Sequence, residues 1–399
     1  MISAPSWSPG TTAAAFPWRS EKTCAGRSRT HQMAANSHKL HNILRSSLCN
    51  ILRGMNLLLS SFRANMCTPK GKTHSREAEN GGFTMNEKTA RQIAEMKNQT
   101  IGVEVEMNNI TRQKAAKVAA DFFGTGRYEN TAGRNGYSTW SAWDAQGREW
   151  KFQKDVSIAG ADEQKCELVT PILTYGDIET LQELCRQLRH AGAKSDASRG
   201  CGVHIHIGAQ GHTPQSLRNL ANIMASHESL IAEALKLDHS RMSRYCRTVD
   251  PNFLAKVNSR KPKTMAQLAD IWYTSHGASY GRNQHYNDSR YHMLNLHATF
   301  TKGTVEFRLF QFDEPSEGRR GGIHAGQLKS YIQLCLALSQ MAKDVRTASP
   351  KPQQNENPKY AMRTWLLRLG FIGEEFATAR DFLTRNLSGD TAFRHGRAA

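Results

Sequence analysis

The sequence lacks the long apolar runs and the paired cysteines that identify several classes of protein. No apolar run approaches the roughly 20 residues needed to cross a bilayer, and the first residues lack the apolar stretch of a secretory signal. The eight cysteines form no CxxC pair and no regular framework, which argues against a disulfide scaffold or a zinc ribbon. We therefore expect a cytoplasmic protein with reduced thiols.

Acidic residues are scarce in the first part of the chain. The 399 residues carry a net charge of +18, and residues 1–84 contain 11 basic residues but only three acidic ones. Between Leu44 and Phe62 an apolar residue recurs at alternating steps of four and three, which is helical periodicity. Two interpretations are open. The segment is a basic amphipathic helix that serves membrane-surface binding, partner binding or targeting, or it is a weakly ordered extension. We favour the extension, with Met85 as an alternative natural start.

From Ile101 onward the pattern predicts strands mixed with long helices. Strands are predicted over 101–107, 150–158, 166–173, 202–208, 291–300 and 303–310, and helices over 111–123, 177–192, 213–237 and about 322–343. Residues 238–290 are polar and irregular, with one helix near 264–273. The main domain spans 85–345, a Pro/Gln/Asn linker spans 346–358, and a tail with two short helices, near 359–369 and 373–386, spans 359–399. The fold class is α+β, a mostly antiparallel sheet backed by helices on one side.

Five of the predicted strands carry apolar residues on one side and charged or imidazole groups on the other. Successive side chains of a strand point to opposite faces, so in "GVHIHIG" the two imidazoles share a face opposite Val203, Ile205 and Ile207. The polar slots of the five strands hold Glu104 and Glu106, Asp155 and Ser157, Glu167, His204 and His206, and Glu306 and Arg308.

The composition of these polar slots is unusual for a sheet with one solvated face. A solvated face is the commonest cause of such alternation, and it explains any one strand alone. Solvated faces usually carry mixed polar residues, however, and here most slots hold carboxylates. Crowded carboxylates repel one another unless cations lie among them, and Mg²⁺ prefers carboxylate oxygens and bridges nucleotide phosphates. Arg308 offers a bidentate contact to a phosphate or a carboxylate.

Two other interpretations of His204 and His206 stay open. A His-x-His strand is a zinc arrangement of hydrolases; with Glu167 or His297 as third ligand, the protein would be a metal-dependent amidase or peptidase. A structural role, with both imidazoles hydrogen-bonded to neighbouring carboxylates, is the other. A nucleic-acid partner is not expected, because the main domain shows no zinc finger, no recognition-helix pattern and no helix that concentrates the positive charge.

Six segments, taken in order, resemble the amidoligase family within the glutamine synthetase and glutamate–cysteine ligase superfamily. They are "GVEVE", "KDVSI", "KCELVTPIL", "GCGVHIHIG", "RYHMLNLHA" and "TVEFRLF". The resemblance spans residues 101 to about 340. Glutamine synthetases carry a strand Glu-x-Glu, then Gly-x-Gly-x-His-x-His, then Glu-Phe-Arg. These correspond here to Glu104 and Glu106, to "GCGVHIH", and to residues 306–308. The resemblance implies a glutamine synthetase-like funnel, a mostly antiparallel sheet backed by long helices.

The resemblance also implies an activity and its cofactors. Such enzymes are ATP- and Mg²⁺- or Mn²⁺-dependent carboxylate–amine ligases, in which the carboxylate attacks the γ-phosphate and the amine then displaces phosphate from the acyl phosphate. Residues 85–345 would be the catalytic domain, and the substrates would be small-molecule or peptide carboxylates and amines. The P-loop pattern GxxxxGK[ST] is absent, so the nucleotide would bind in the sheet funnel.

The same resemblance implies roles for single residues. The metal ligands would be Glu104, Glu106, Glu167, His204 and Glu306. The catalytic groups would be Asp155, Glu306 and Arg308; Asp155 would orient the amine or hold metal-bound water, and Arg308 would bind phosphate or the substrate carboxylate. The nucleotide would contact Arg308, His204 and His206, of which His206 could instead orient a ligand. Arg290, Tyr291 and Asn295 would line the substrate side. The small N-terminal β-grasp domain of glutamine synthetases has no counterpart in residues 1–84.

Overall fold

One eight-stranded antiparallel sheet organises the part of the chain that the structure describes. The computed structural model describes residues 86–134, 136–318, 321–352, 356–392 and 394. The predicted extension 1–84, its helical stripe and Met85 therefore lie outside the described residues. The sheet has the order β2-β3-β4-β5-β1-β6-β8-β7, which confirms the α+β class. Its strands are β1 (Ile101–Met107), β2 (Tyr128–Asn130), β3 (Trp140–Trp143), β4 (Glu149–Gln153), β5 (Cys166–Val169), β6 (Val203–Gly208), β7 (Leu294–Asn295) and β8 (Thr304–Phe310).

Eleven α-helices occur in the described residues. They are α1 (Glu87–Lys97), α2 (Arg112–Phe122), α3 (Ile178–His190), α4 (Pro214–Leu235), α5 (His239–Arg244), α6 (Pro251–Arg260), α7 (Met265–Ser275), α8 (His297–Thr301), α9 (Ala325–Asp344), α10 (Pro358–Arg368) and α11 (Ala377–Thr384). Short 3₁₀ turns occupy Ala132–Arg134, Asp162–Gln164, Tyr175–Asp177, Ala197–Arg199, Asp288–Arg290 and Glu374–Phe376. None of the described helices combines the length and the apolar character that a membrane span requires.

Local signals in the sequence set the ends of the long helices. Thr213 is the N-cap of α4 and its side chain accepts from the Ser216 amide, while Pro214 occupies the first helical position. The Gly192 amide donates to the Arg189 carbonyl just after α3, and Gly192 has a φ of 109°, a backbone conformation that favours glycine. The predicted ends of both helices therefore lie within two residues of the observed ones.

The apolar face of the sheet forms the core with the helices. Val103, Val105, Ile205 and Phe307 are buried there, with α2 packed on β3 and β4, and α9 on β6. α9 also packs against α1, α3, α4 and α11. The helical layer covers the apolar face of the sheet, so the opposite face carries the polar side chains of the strands.

Three predicted elements are wrong in part. β4 ends at Gln153 and the chain then turns, so Asp155 and Ser157 are not strand residues and Val156 is 77% exposed. Within the predicted strand 291–300, only the two residues of β7 form a strand, and α8 begins two residues after β7 ends. The segment 238–290 holds three helices, α5 to α7, where one was predicted, and β2 and β3 were not predicted at all.

Candidate active site

Strand pairing brings the predicted polar side chains together on the sheet face opposite the helices. Residues directly opposite in an antiparallel ladder project to the same face. The pairs are Glu104 with His204, Glu106 with Glu167, and His206 with Glu306. All six side chains are at least largely buried. This face is therefore an enclosed polar cluster and not a solvated surface.

Glu104 lies at the centre of the cluster, between the two imidazoles. Its carboxylate is 3.0 Å from Nδ1 of His204 and 3.3 Å from Nε2 of His206. Burial opposes ionisation of this carboxyl, but the two imidazoles outweigh it and hold the pKa of Glu104 well below its usual range. Lys302, in the turn before β8, adds a cation 3.8 Å away.

His206 has a buried ring nitrogen without a hydrogen-bond partner among the described residues. Nδ1 of His206 is 2.9 Å from the Thr304 hydroxyl, whereas the buried Nε2 lacks a partner among the described residues. That nitrogen lies 3.3 Å from Glu104 and 3.9 Å from Glu306. An imidazole nitrogen next to two carboxylates is a donor set that a bound cation can share.

Glu306 and Arg308 form a buried ion pair on β8. Nη1 of Arg308 donates to Oε1 of Glu306 at 2.5 Å, and the Asn295 amide donates to the other oxygen at 2.7 Å. Burial opposes ionisation of Glu306, but the Arg308 charge outweighs it and lowers the pKa of the carboxyl. Both side chains are fixed by these bonds, and Nε of Arg308 stays without a partner among the described residues.

At the other end of the face, three carboxyl groups converge. Gly202 donates its amide to Oε2 of Glu106 at 2.6 Å, and Gln153 donates to Glu167 at 2.8 Å. Burial, followed by the charges of Glu104, Glu106 and Asp155, raises the pKa of Glu167 well above its usual range. Such crowding favours either a shared proton or a bound cation.

Asp155 reaches this group by a route that the strand alternation did not predict. It lies in the turn after β4, where its Oδ1 accepts from the amide and the hydroxyl of Ser157 at 2.7 and 2.5 Å. The turn brings Asp155 close to Glu106 and Glu167. The residue therefore belongs to the cluster although its predicted strand is wrong.

Three overlapping sets of side chains have the geometry to hold cations. In each set, one ligand atom from every member lies within 4.8 Å of the others. The sets are Glu104, His206 and Glu306; Glu104, Glu167 and His204; and Glu106, Asp155 and Glu167. All five predicted metal ligands occur in them, and Asp155 and His206 join them.

The predicted substrate-side residues have different positions. The Arg290 guanidinium lies 5.4 Å from the Tyr286 ring and 5.8 Å from the Tyr291 ring, and Arg308 lies 5.9 Å from the Tyr291 ring. Tyr291 is therefore adjacent to two cations beside the cluster. Asn295 is buried next to Glu306: its Nδ2 donates to Glu306 and its Oδ1 accepts from the His297 backbone amide. It therefore holds a site residue in place and does not line an open surface.

Both ring nitrogens of His297 are engaged in hydrogen bonds outside the three metal-binding sets. Nδ1 is 2.7 Å from the Tyr273 hydroxyl and Nε2 is 3.0 Å from the Gln284 carbonyl. It is therefore not available as the third zinc ligand of the hydrolase interpretation. Glu167 remains beside His204 in one of the three sets.

Sequence reasoning missed several residues that contact the cluster. Lys302, Gln153 and Thr304 lie within or beside predicted strands. Each is an even number of residues from a predicted polar residue of the same strand, and this spacing could have placed them on the polar face. Arg241 approaches Glu106 from the irregular segment 238–290, and no local pattern marks it. A cavity of about 320 Å³ opens beside Glu104, lined also by His206, Lys302, Thr304, Val169, Pro171 and Ile172.

Comparisons with known proteins identify a family and a solved structure to which the chain is similar. The model of the family described as "putative amidoligase enzyme" matches residues 97–339. A bifunctional glutathione synthetase from Pasteurella multocida resembles the chain with a TM-score of 0.38 and 13% identity, over 75% of this chain and 48% of that one. The chain thus spans about half the length of that synthetase. No curated protein matches it.

Proposed function

The chain belongs to the putative amidoligase family, which supports a carboxylate–amine ligase in general, and we propose that it uses ATP and Mg²⁺ and acts through an acyl phosphate. The observation that carries the proposal is the row of three overlapping carboxylate and imidazole sets along one enclosed sheet face. The carboxylates of these sets repel one another unless cations lie between them. Divalent ions that also bind nucleotide phosphates fit this donor set.

The residues present fit a hard divalent cation. Oxygen donors outnumber nitrogen donors in every set, as Mg²⁺ prefers, and the two imidazoles also suit Mn²⁺. The unpartnered Nε2 of His206 is a second supporting observation. Under this proposal the ligands are Glu104, Glu106, Glu167, His204 and Glu306. When bound, the ions would neutralise the triphosphate charge.

The proposed reaction has two steps. In the first, an oxygen of the substrate carboxylate bonds to the γ-phosphorus while the bond to the β-phosphate oxygen breaks, which gives an acyl phosphate and ADP. In the second, the amine nitrogen bonds to the acyl carbon, phosphate leaves and the amine loses a proton. Arg308 and Lys302 would bind the anionic oxygens, and Asp155 would orient the amine.

The finer description of the fold belongs to the same proposal. The enclosed polar face and the cavity beside Glu104 support a funnel of glutamine synthetase type, in which the nucleotide would contact Arg308, His204 and His206. Tyr291 and Arg290 would line the substrate side. The domain limits 85–345, 346–358 and 359–399, and the cytoplasmic location, stay predictions.

The test is nucleotide binding by the full chain, measured as the shift in melting temperature with ATP, with and without Mg²⁺. Saturation to about 100 times Kd stabilises a protein by about 2.7 kcal/mol, so we expect a shift of roughly 5 °C that needs both ligands. Glu104→Gln should lose the shift, and Asp121→Asn, at an exposed pair, should keep it. A shift with Zn²⁺ alone and none with ATP would replace the ligase by the metal-dependent amidase or peptidase.

A further inference from the structure

A second pair of histidines lies outside the polar cluster, between the end of α7 and the start of β7. His276 directly follows α7, and His292 lies two residues before β7. The centroids of their rings are 4.6 Å apart and the ring planes meet at 67°. His292 is 4% exposed and His276 is half-buried. Neither residue belongs to the three metal-binding sets, so this pair is a separate feature of the structure.

Both imidazoles are held by the same kind of hydrogen bond. Nδ1 of His276 is 2.7 Å from the Trp272 carbonyl, and Nδ1 of His292 is 2.7 Å from the Thr248 carbonyl. A carbonyl oxygen only accepts, so each Nδ1 carries a proton. Burial lowers the pKa of both imidazoles, that of His292 to about 4, so both rings are neutral at pH 7. Each Nε2 therefore carries a lone pair.

The two lone pairs have nothing to bind within the chain. Nε2 of His276 and Nε2 of His292 are both buried, and neither has a hydrogen-bond partner among the described residues. A buried acceptor without a partner is costly to keep. Metal-binding histidines almost always donate their other N–H to a carbonyl, a carboxylate or water, which fixes the tautomer and orients the ring. This pair has that arrangement at both rings.

The spacing of the two rings fits one shared ion. With Zn–N bonds of about 2.0–2.1 Å, two imidazoles on one ion have ring centroids about 4.5–5.2 Å apart at N–Zn–N angles of about 90–110°. The observed 4.6 Å lies in that range. The charges of Asp250 and Arg247 act on both imidazoles in opposite directions, so a carboxylate and a guanidinium both lie near the pair. The next residue, Gly277, is exposed, so the pair lies just beneath the surface.

We propose that His276 and His292 bind one transition-metal ion of the Zn²⁺ class through their Nε2 atoms. Imidazole nitrogen suits such ions, whereas Mg²⁺ prefers oxygen ligands. Water fills the remaining positions of the coordination shell. The ion joins the end of α7 to the chain that leads from Arg290 and Tyr291 into β7, and Tyr291 lies beside the polar cluster. This inference does not depend on the proposed function.

The test is calorimetric titration of the metal-free full chain with Zn²⁺, with Ni²⁺ quenching of tryptophan fluorescence as a second readout. The Trp272 ring is 4.2 Å from the His276 ring and 6.1 Å from the His292 ring, so paramagnetic Ni²⁺ on the pair should quench it. His276→Asn and His292→Asn keep an N–H donor near the position of Nδ1 and remove Nε2. Each should lose one Zn²⁺ equivalent, with an affinity at least about 10-fold lower, and should lose the quenching. His239→Asn, exposed in the same segment, should bind like the wild type.

Three results would overturn the inference. The first is equal Zn²⁺ stoichiometry and equal Ni²⁺ quenching in the wild type and both variants. The second is a wild type whose bound Zn²⁺ is lost in Glu104→Gln but not in the two variants, because all the zinc would then lie in the polar cluster. The third is a marked fall in the melting temperature of both metal-free variants, which would assign His276 and His292 to the fold. We expect both variants to melt at or above the wild-type temperature, since each removes an unpartnered buried acceptor.

The same variants separate this site from the proposed function. A Zn²⁺-dependent melting shift that His276→Asn removes belongs to the histidine pair, and one that persists belongs to the polar cluster. The shift that needs both ATP and Mg²⁺ should be equal in the wild type and His276→Asn, because neither imidazole belongs to the three sets. If the wild type shows no ATP-dependent shift but loses a Zn²⁺ equivalent in His276→Asn, the ligase proposal falls and the zinc site stands.

Discussion

The ion pair of Glu306 and Arg308 allows stability and activity to be separated. Strand alternation alone predicts that Glu306→Gln leaves the fold intact, because Glu306 lies on the polar face of its strand, opposite the core face. In the structure both side chains are at most 5% exposed and are joined at 2.5 Å. Removing one partner of a buried pair leaves an uncompensated charge, which costs about 3–5 kcal/mol. We therefore expect Glu306→Gln to lower the free energy of unfolding by about 3 kcal/mol, since Glu104 and Glu106 partly compensate Arg308.

The double variant Glu306→Gln/Arg308→Met removes both charges and should recover the wild-type stability to within about 1 kcal/mol. Under the proposed function, ATP turnover should fall at least about 100-fold in both variants, because each lacks a charged group of the proposed site. Urea unfolding at pH 7 and an ADP-release assay measure the two effects, with Asp121→Asn at the exposed Lys117 pair as control. Wild-type stability in the single variant would refute the ion-pair energetics, and retained turnover would remove Glu306 from the site.

Three further predictions concern other parts of the chain. Burial raises the pKa of Glu228 to about 7, above the unfolded value of about 4.3, so native stability falls as pH rises between these two values. In urea unfolding, Glu228→Gln should therefore be as stable as the wild type at pH 4 and about 1–3 kcal/mol more stable at pH 8. Parallel curves of stability against pH for the two proteins would contradict this. The hydrogen bond from Arg148, together with smaller contributions, lowers the pKa of Asp177 to about 2. The contribution of the ionised carboxylate to stability is therefore present above about pH 3.9 and is lost as pH falls through about 2. Asp177→Asn should lower the free energy of unfolding by about 1 kcal/mol at pH 6 and by almost nothing near pH 2, whereas an equal loss at both pH values would assign the stabilisation to the hydrogen bonds with Thr174. A chain that starts at Met85 should show the same ATP- and Mg²⁺-dependent melting shift as the full chain, because every described site residue follows it, and an insoluble product would show that the preceding residues are needed.

Most of the polar face could be predicted because it depends on a local rule. The two-residue period of β1, β6 and β8 determines which side chains share a face, whatever the rest of the fold does. The apolar half of each strand then decides which face turns to the helices. Register between strands is not local, yet the order of the motifs was enough to expect Glu104, His204 and Glu306 in one place through the family resemblance.

The failures occur where side chains bond to the nearby backbone and compete with strand pairing. "KDVSI" alternates like a strand, but Asp155 accepts from Ser157 two residues later and turns the chain. "YHMLNLHATF" also alternates, but the side-chain Oδ1 of Asn295 accepts from the His297 backbone amide at the point where α8 begins. Periodicity reports only the spacing of apolar residues, so it does not detect hydrogen bonds between a side chain and the backbone two residues later. Arg241 has no local signal at all, since its neighbours Gly202 and Glu106 are 39 and 135 positions away in the sequence.

The same enclosed face explains why a sequence rule for solvated sheets does not apply here. Buried imidazole and guanidinium groups with nitrogens that lack a partner among the described residues, at His206, Arg241 and Arg308, lower the stability of the unliganded chain. The apolar layer of α2, α3, α4 and α9 offsets that cost from the other side of the sheet. Under the proposed function, bound ligands supply the missing partners of these groups, because binding to the native state restores stability that folding alone does not provide. A substitution that satisfies these groups internally should therefore stabilise the free protein and weaken its response to ligand.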